Sequence, residues 1–229
     1  MTMKRLIKMK YVFYVLGILI LTLGISVTIQ SDFGTSPFDA LLVGLSLNVG
    51  LTVGSWEIII ALLLICCNSK LKRQRPEVLG LLTAFITGIG IDVWLFLLRD
   101  LITPEIWYSK MIYFGIGLVI TGLGTAIYLQ TNFAPIPIDR LTLIIQELTR
   151  TNIFIARTFI YLIFLIMATI LHGPIGVGTI LTVCLGGLLL NFFIPLTKKV
   201  IDHLFVHQST SSSYKKNKAA DHNDNKSIF

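Results

Sequence analysis

Two stretches decide how this chain is read: Gln30-Ser31-Asp32-Phe33-Gly34-Thr35-Ser36-Pro37-Phe38-Asp39 and Gln130-Thr131-Asn132-Phe133-Ala134-Pro135-Ile136-Pro137-Ile138-Asp139. They lie one hundred positions apart, and Gly17, Gly24 and Leu41 recur at the same offset as Gly117, Gly124 and Leu141. Each follows an apolar run of about twenty residues, the length that spans a bilayer's hydrocarbon. Two hydrophobic copies, each with a polar, proline-broken segment in the same place, are the pattern of a repeat-built transporter.

Composition agrees with a membrane location. Of 229 residues, 54% are hydrophobic and only 14% charged, which is an integral membrane protein rather than a soluble domain. The net charge of +7 sits in short clusters beside apolar runs. That placement fits topology signals and anionic headgroups, so the lipid bilayer is the expected partner and nucleic acid is not. Lys4, Arg5, Lys8 and Lys10 before an apolar run imitate a signal peptide. The run 11–29 is long for a signal core and has a mid-chain counterpart at 111–129, so it reads as a retained first span. Cys66, Cys67 and Cys184 have no Cys-x-x-Cys spacing and read as small buried hydrophobes.

The pattern predicts an all-α, polytopic bundle with spans near 11–30, 53–67, 78–98, 112–130, 153–171 and 176–196. Residues 36–47 and 138–148 are too short to cross and read as half-helices or re-entrant segments, which need protein or a cavity around them at membrane depth. Basic residues at the N-terminus, at Lys70, Lys72, Arg73 and Arg75, at Arg140 and Arg150, and at Lys198 and Lys199 all fall on one side of six crossings. Both termini are therefore expected in the cytoplasm. Three crossings per copy make the two repeats inverted. The divisions follow: 1–10 a basic cytoplasmic N-terminus, 11–98 the first membrane repeat, 99–111 an extracytoplasmic loop, 112–196 the second repeat, and 197–229 a cytoplasmic, largely disordered tail.

Pro37 and Pro137 suit the first turn of a helix, where the missing N–H costs nothing. Each copy should then place a helix N-terminus in the membrane, with free N–H groups able to receive a polar solute. Substrate-contact candidates are Gln30, Asp32, Ser36, Pro37 and Asp39, with Gln130, Asn132, Pro137 and Asp139 in the second copy. The competing structural reading makes Ser36-x-x-Asp39 a capping box and the two glutamines ties for unwound helix ends. Asp92 lies well inside a span, where an ionisable group is costly and usually has a purpose. Glu57 and Arg157 occupy matching positions with opposite charge. Inversion puts them toward opposite edges, with Arg157 able to snorkel to the cytoplasmic headgroups, so a direct bridge is not expected. Asp92, Glu57 and Arg157 are the coupling candidates. His203 and His207 share the spacing i, i+4 but have no evident third ligand, so no metal or other cofactor is expected. Walker, His-Glu-x-x-His and nucleophile-elbow motifs are missing, which argues against an enzyme.

Taken in order, Asp32 to Asp39, then Gly50-Leu51-Thr52-Val53-Gly54-Ser55-Trp56, Arg157 and Gly173-Pro174-Ile175-Gly176-Val177-Gly178-Thr179, resemble the YczE/YyaS/YitT-type family of bacterial membrane proteins, nearest to the YczE branch. The resemblance covers roughly residues 11–196 and implies the fold and a cytoplasmic-membrane location. That family's second motif usually reads Gly-x-Gly-Pro-x-Asp-Gly, where this chain has Ala134 to Arg140 and so a stiffer turn with an added cation. The leading expectation is a small secondary carrier with its solute between the two proline-broken segments. The rival is a non-transporting accessory or scaffold protein for a membrane-associated assembly, working as a homo-oligomer or with a membrane partner.

Overall fold

A computed structural model describes residues 3–131 and 133–224. Eight helices follow in order: α1 (Met3–Gln30), α2 (Pro37–Val49), α3 (Val53–Lys72), α4 (Val78–Leu98), α5 (Trp107–Gln130), α6 (Pro137–Thr149), α7 (Ile153–Ile170) and α8 (Val177–Asp224). Five contain stretches long and apolar enough to cross a membrane: Met9–Gln30, Val53–Lys72, Val78–Leu98, Trp107–Gln130 and Val177–Ile201. The sixth expected span is α7, whose apolar part Ile155–Ile170 is shorter than those five. Past Ile201 the backbone of α8 stays helical to Asp224, where the polar composition predicts disorder. Residues 225–229 of that tail lie outside the described residues.

The proline-broken segments are helices that begin at proline. Pro37 and Pro137 each occupy the first turn of a 13-residue helix, about 20 Å long and too short for a ~30 Å core. Ser36 caps α2 by accepting from the Asp39 N–H at 3.2 Å, whereas Ile136 offers α6 no side-chain cap. Thr52 and Asn152 cap α3 and α7 in the same way, accepting from the Ser55 and Ile155 N–H groups.

The centre of the bundle is the crossing of α1 and α5, with α4 flanking α1 and α8 flanking α5. Glycine makes that crossing close. A Cβ on Gly24 would lie 2.4 Å from the Thr121 nitrogen, and one on Gly124 would lie 2.3 Å from the Leu21 nitrogen. Gly17 meets Tyr128 and Gly117 meets Thr28, so contact positions rise along α1 as they fall along α5, and the two helices run antiparallel. Small residues that let backbones approach are the usual way membrane helices associate, since lipid supplies no hydrophobic drive between them.

The short helices cross over. α2 packs mainly on α7, and α6 lies against both α3 and α7. On one side the Thr35 N–H donates to the Pro174 carbonyl, and Asn48 Nδ2 donates to the Leu171 carbonyl at 2.6 Å. On the other, Asn68 Nδ2 donates to the Pro137 carbonyl at 3.0 Å, and Thr83 Oγ1 donates to the Ala134 carbonyl at 3.2 Å. One expectation fails. Cys66, Cys67 and Cys184 lie on the exposed outer surface of α3 and α8 rather than in the core, because helices at the rim of a bundle turn apolar residues toward lipid as readily as inward.

Candidate functional site

One cavity of about 150 Å³ lies inside the bundle, and both motif segments reach it. Ser36, Phe38 and Asp39 border it from α2, and Ile136, Ile138 and Asp139 border it from α6. Glu57 enters from α3, Tyr128 from α5, and Arg157 and Tyr161 from α7. The crossover of the short helices creates this meeting, since each carries its first-turn aspartate into the space between the halves.

The four ionisable side chains have unequal company. Asp139 accepts a short hydrogen bond from the Tyr128 hydroxyl and lies 3.8 Å from an Arg157 guanidinium nitrogen. Arg157 donates to the Tyr161 hydroxyl at 3.0 and 3.2 Å, and its guanidinium sits 5.3 Å from the same ring's centre. Asp39, 8% exposed, accepts from the Ser36 hydroxyl at 2.5 Å. Glu57 is 2% exposed, and no hydrogen bond or ion pair joins it to the other described residues. Three carboxyl groups and one guanidinium thus share one space, with Glu57 the member that lacks a partner.

The other candidates lie elsewhere. Gln30 Nε2 donates to the Leu95 carbonyl at 3.3 Å, and Gln130 Nε2 donates to the Ile194 carbonyl at 3.1 Å. These are matching ties between the first and last helices of each half, as the structural alternative expects. Asp32 forms a surface ion pair with Lys110. Pro37 and Pro137 are buried helix starts, and Pro137 borders a second cavity of about 20 Å³ beside Asn68, Lys72 and Arg140. Asn132 lies outside the described residues. Asp92 does not line the central cavity. Its carboxylate accepts from the Gly54 N–H at 2.8 Å and the Thr52 hydroxyl at 2.6 Å, which fixes the start of α3. Arg157 does not snorkel to headgroups, because Asp139 and Tyr161 hold it inside. No ion pair joins it to Glu57 among the described residues.

Tyr128, Tyr161, Thr87 and Thr125 line the cavity without having been singled out in the sequence. An aromatic or threonine in an apolar run carries no mark of whether it faces lipid or a cavity. The one usable signal was Tyr128 standing at the end of a span beside Gln130. Among the described residues no three His, Cys, Asp or Glu side chains could jointly hold a metal ion. His203 and His207 have side chains outside the described set.

A bundle of apolar helices with a charged cavity at its centre defines a multi-pass integral membrane protein. The chain belongs to the family of unknown function DUF6198, whose model matches residues 8–195. It is 61% identical over 191 residues to the uncharacterized protein YyaS of Bacillus subtilis, covering 83% of this chain and 95% of that one. To the uncharacterized membrane protein YczE of the same organism it is 34% identical over 210 residues, covering 91% and 96%. An uncharacterized protein of Haemophilus influenzae is 26% identical over 184 residues, covering 79% and 81%. The chain therefore stands nearer to YyaS than to YczE, the reverse of what the motifs imply. No solved structure matches it.

Proposed function

We propose that the chain is a secondary carrier of a small solute in the bacterial cytoplasmic membrane, built from two inverted repeats with the site between α2 and α6. The observation that carries this reading is the shared cavity, bordered by Asp39 and Asp139 from the two proline-started helices. A scaffold has no need of an interior space lined by buried ionisable groups, which are costly in a membrane and mark solute or ion pathways. Inversion is supported by the antiparallel crossing of α1 and α5 and by the matching ties of Gln30 and Gln130. It is also supported by the exchange of short helices between halves. Alternating access then amounts to rocking one half against the other around the fixed site.

The test is two-sided accessibility of the cavity. Thr87→Cys and Thr125→Cys, each in a background with Cys66, Cys67 and Cys184 changed to serine, are exposed to an impermeant thiol reagent in oriented vesicles. A carrier gives labelling from either face, in proportions that shift when the membrane potential or pH gradient is reversed. Labelling from neither face, in protein that remains folded, would reject transport in favour of the scaffold.

A further inference from the structure

The central cavity is not closed on every side. α3 and α4 seal their half, since a Cβ on Gly88 would lie 2.5 Å from the Gly54 carbonyl oxygen. α7 and α8 hardly touch. Gly186 and Gly187 border the cavity, yet a Cβ on either would meet nothing within 4 Å. Thr158 and Gly187 are both cavity-lining and exposed, so the mouth lies between α7 and α8. The outer faces of these two helices are apolar, with Phe159, Leu162, Ile180 and Leu188 all exposed. The two glycines stand about ten residues into the span Val177–Ile201, roughly 14 Å deep at 1.5 Å per residue and near the middle of a ~30 Å core.

We propose that the cavity binds a small amphipathic organic monocation, which enters and leaves sideways from the bilayer through the gap between α7 and α8. The inference rests on the carrier reading and names its substrate class and route. A mouth in the hydrocarbon admits what partitions there. Inside, Glu57 is a buried carboxyl group with no hydrogen-bond or ion-pair partner among the described residues, in the same cavity as Asp39, which accepts from the Ser36 hydroxyl, and the Asp139–Arg157 pair. Desolvation favours the neutral form of a buried, unpaired carboxyl group, and an ammonium group on the solute supplies the cation that lets it ionise. Tyr128, Tyr161 and Phe38 border the cavity and give the apolar part of the solute an aromatic lining. About 150 Å³ is the size of cavity that accepts a benzene ring, so benzylammonium is a fitting probe.

The experiment uses the full chain in lipid nanodiscs and measures binding of benzylammonium, benzyl alcohol and benzoate. The amine is expected to bind at least ten-fold tighter than either isostere. Glu57→Gln should remove that preference, and Asp39→Asn serves as a second probe should Glu57→Gln fold poorly. Asp92→Asn, which lies outside the cavity, should retain the preference. Gly186→Leu should slow association at least ten-fold with an unchanged melting temperature, because the added side chain enters empty space at the mouth. Equal or tighter binding of benzoate or benzyl alcohol, no binding by the wild type, or an unchanged association rate in Gly186→Leu would each overturn the proposal. So would efficient cross-linking of Leu188→Cys between two copies in native membranes, which would show the gap covered by a second chain. Amine binding in a cavity that thiol reagents reach from neither face would reject the carrier and keep the ligand class. Two-sided access without amine preference would do the reverse.

Discussion

The two halves of the molecule share a plan and differ at one seam. In the first half α3 lies on α4 through facing glycines, Gly54 and Gly88, and Asp92 ties the start of α3 across the contact. In the second half the matching positions are Phe154, Gly187 and Asn191, and Gly187 faces open space. Glycine opposite glycine lets two backbones meet. A second difference follows the first. Asp39 is held by a local cap from Ser36, whereas Asp139, whose helix has no such cap, is held by Tyr128 and Arg157 from neighbouring helices. One half thus has its last two long helices in close contact, and the other has a gap beside its charged groups. Under the proposed function, that asymmetry gives the site its direction of access.

The sharpest way to break this comparison is to substitute matching glycines. Gly88→Leu should abolish folding or lower stability by well over the ~1–3 kcal/mol usual for overpacking, since even its Cβ would overlap the Gly54 carbonyl. Gly187→Ala should be neutral or stabilising by about 0.5–1 kcal/mol, the helix-propensity gain over glycine. Melting curves in detergent decide between them, and equal losses would mean that the α7–α8 gap is filled in solution. Next in size is Arg157→Gln. Removing one member of a fully buried pair costs about 3–5 kcal/mol, but these side chains are 35% and 24% exposed, so about 1–3 kcal/mol is expected. Adding Asp139→Asn should recover part of that loss, as a double-mutant cycle would register.

Asp92→Ala should cost about 1–2 kcal/mol by leaving the Gly54 N–H without its acceptor. Asn191→Ala, at the matching exposed position, should change stability by less than about 0.5 kcal/mol. Between these two falls Ser36→Ala, which removes the α2 cap at a cost of about 1 kcal/mol or less. Chemical denaturation of the reconstituted protein measures all three. A loss from Asn191→Ala matching that from Asp92→Ala would erase the difference between the seams.

Much of the frame could be read from the residues. The helix starts at Pro37 and Pro137, the short length of both segments and the recurring glycines all have local physical causes: a fixed φ, a run too short for the bilayer, a backbone approach. The role of Asp92 could not be read in this way. Depth alone makes a carboxylate in a span look functional, and only the fold brings it to the N-terminus of α3. Glu57 and Arg157 hold matching positions, yet the partner of Arg157 is Asp139 on the adjacent helix of its own half, and it is the exchange of short helices that brings Glu57 into the same cavity. Such an exchange leaves no periodicity in the sequence. Nor does the α7–α8 gap, which depends on where Gly187 faces.

Opposite membrane orientation of the two halves around one cavity is tested most directly by single cysteines at positions 72 and 175 in a cysteine-free background. Lys72 ends α3 in the first half, and Ile175 precedes α8 in the second. With impermeant thiol reagent on intact cells, inverted halves predict labelling of Ile175→Cys from outside and of Lys72→Cys only after the membrane is opened. Labelling of both positions from outside would contradict inversion.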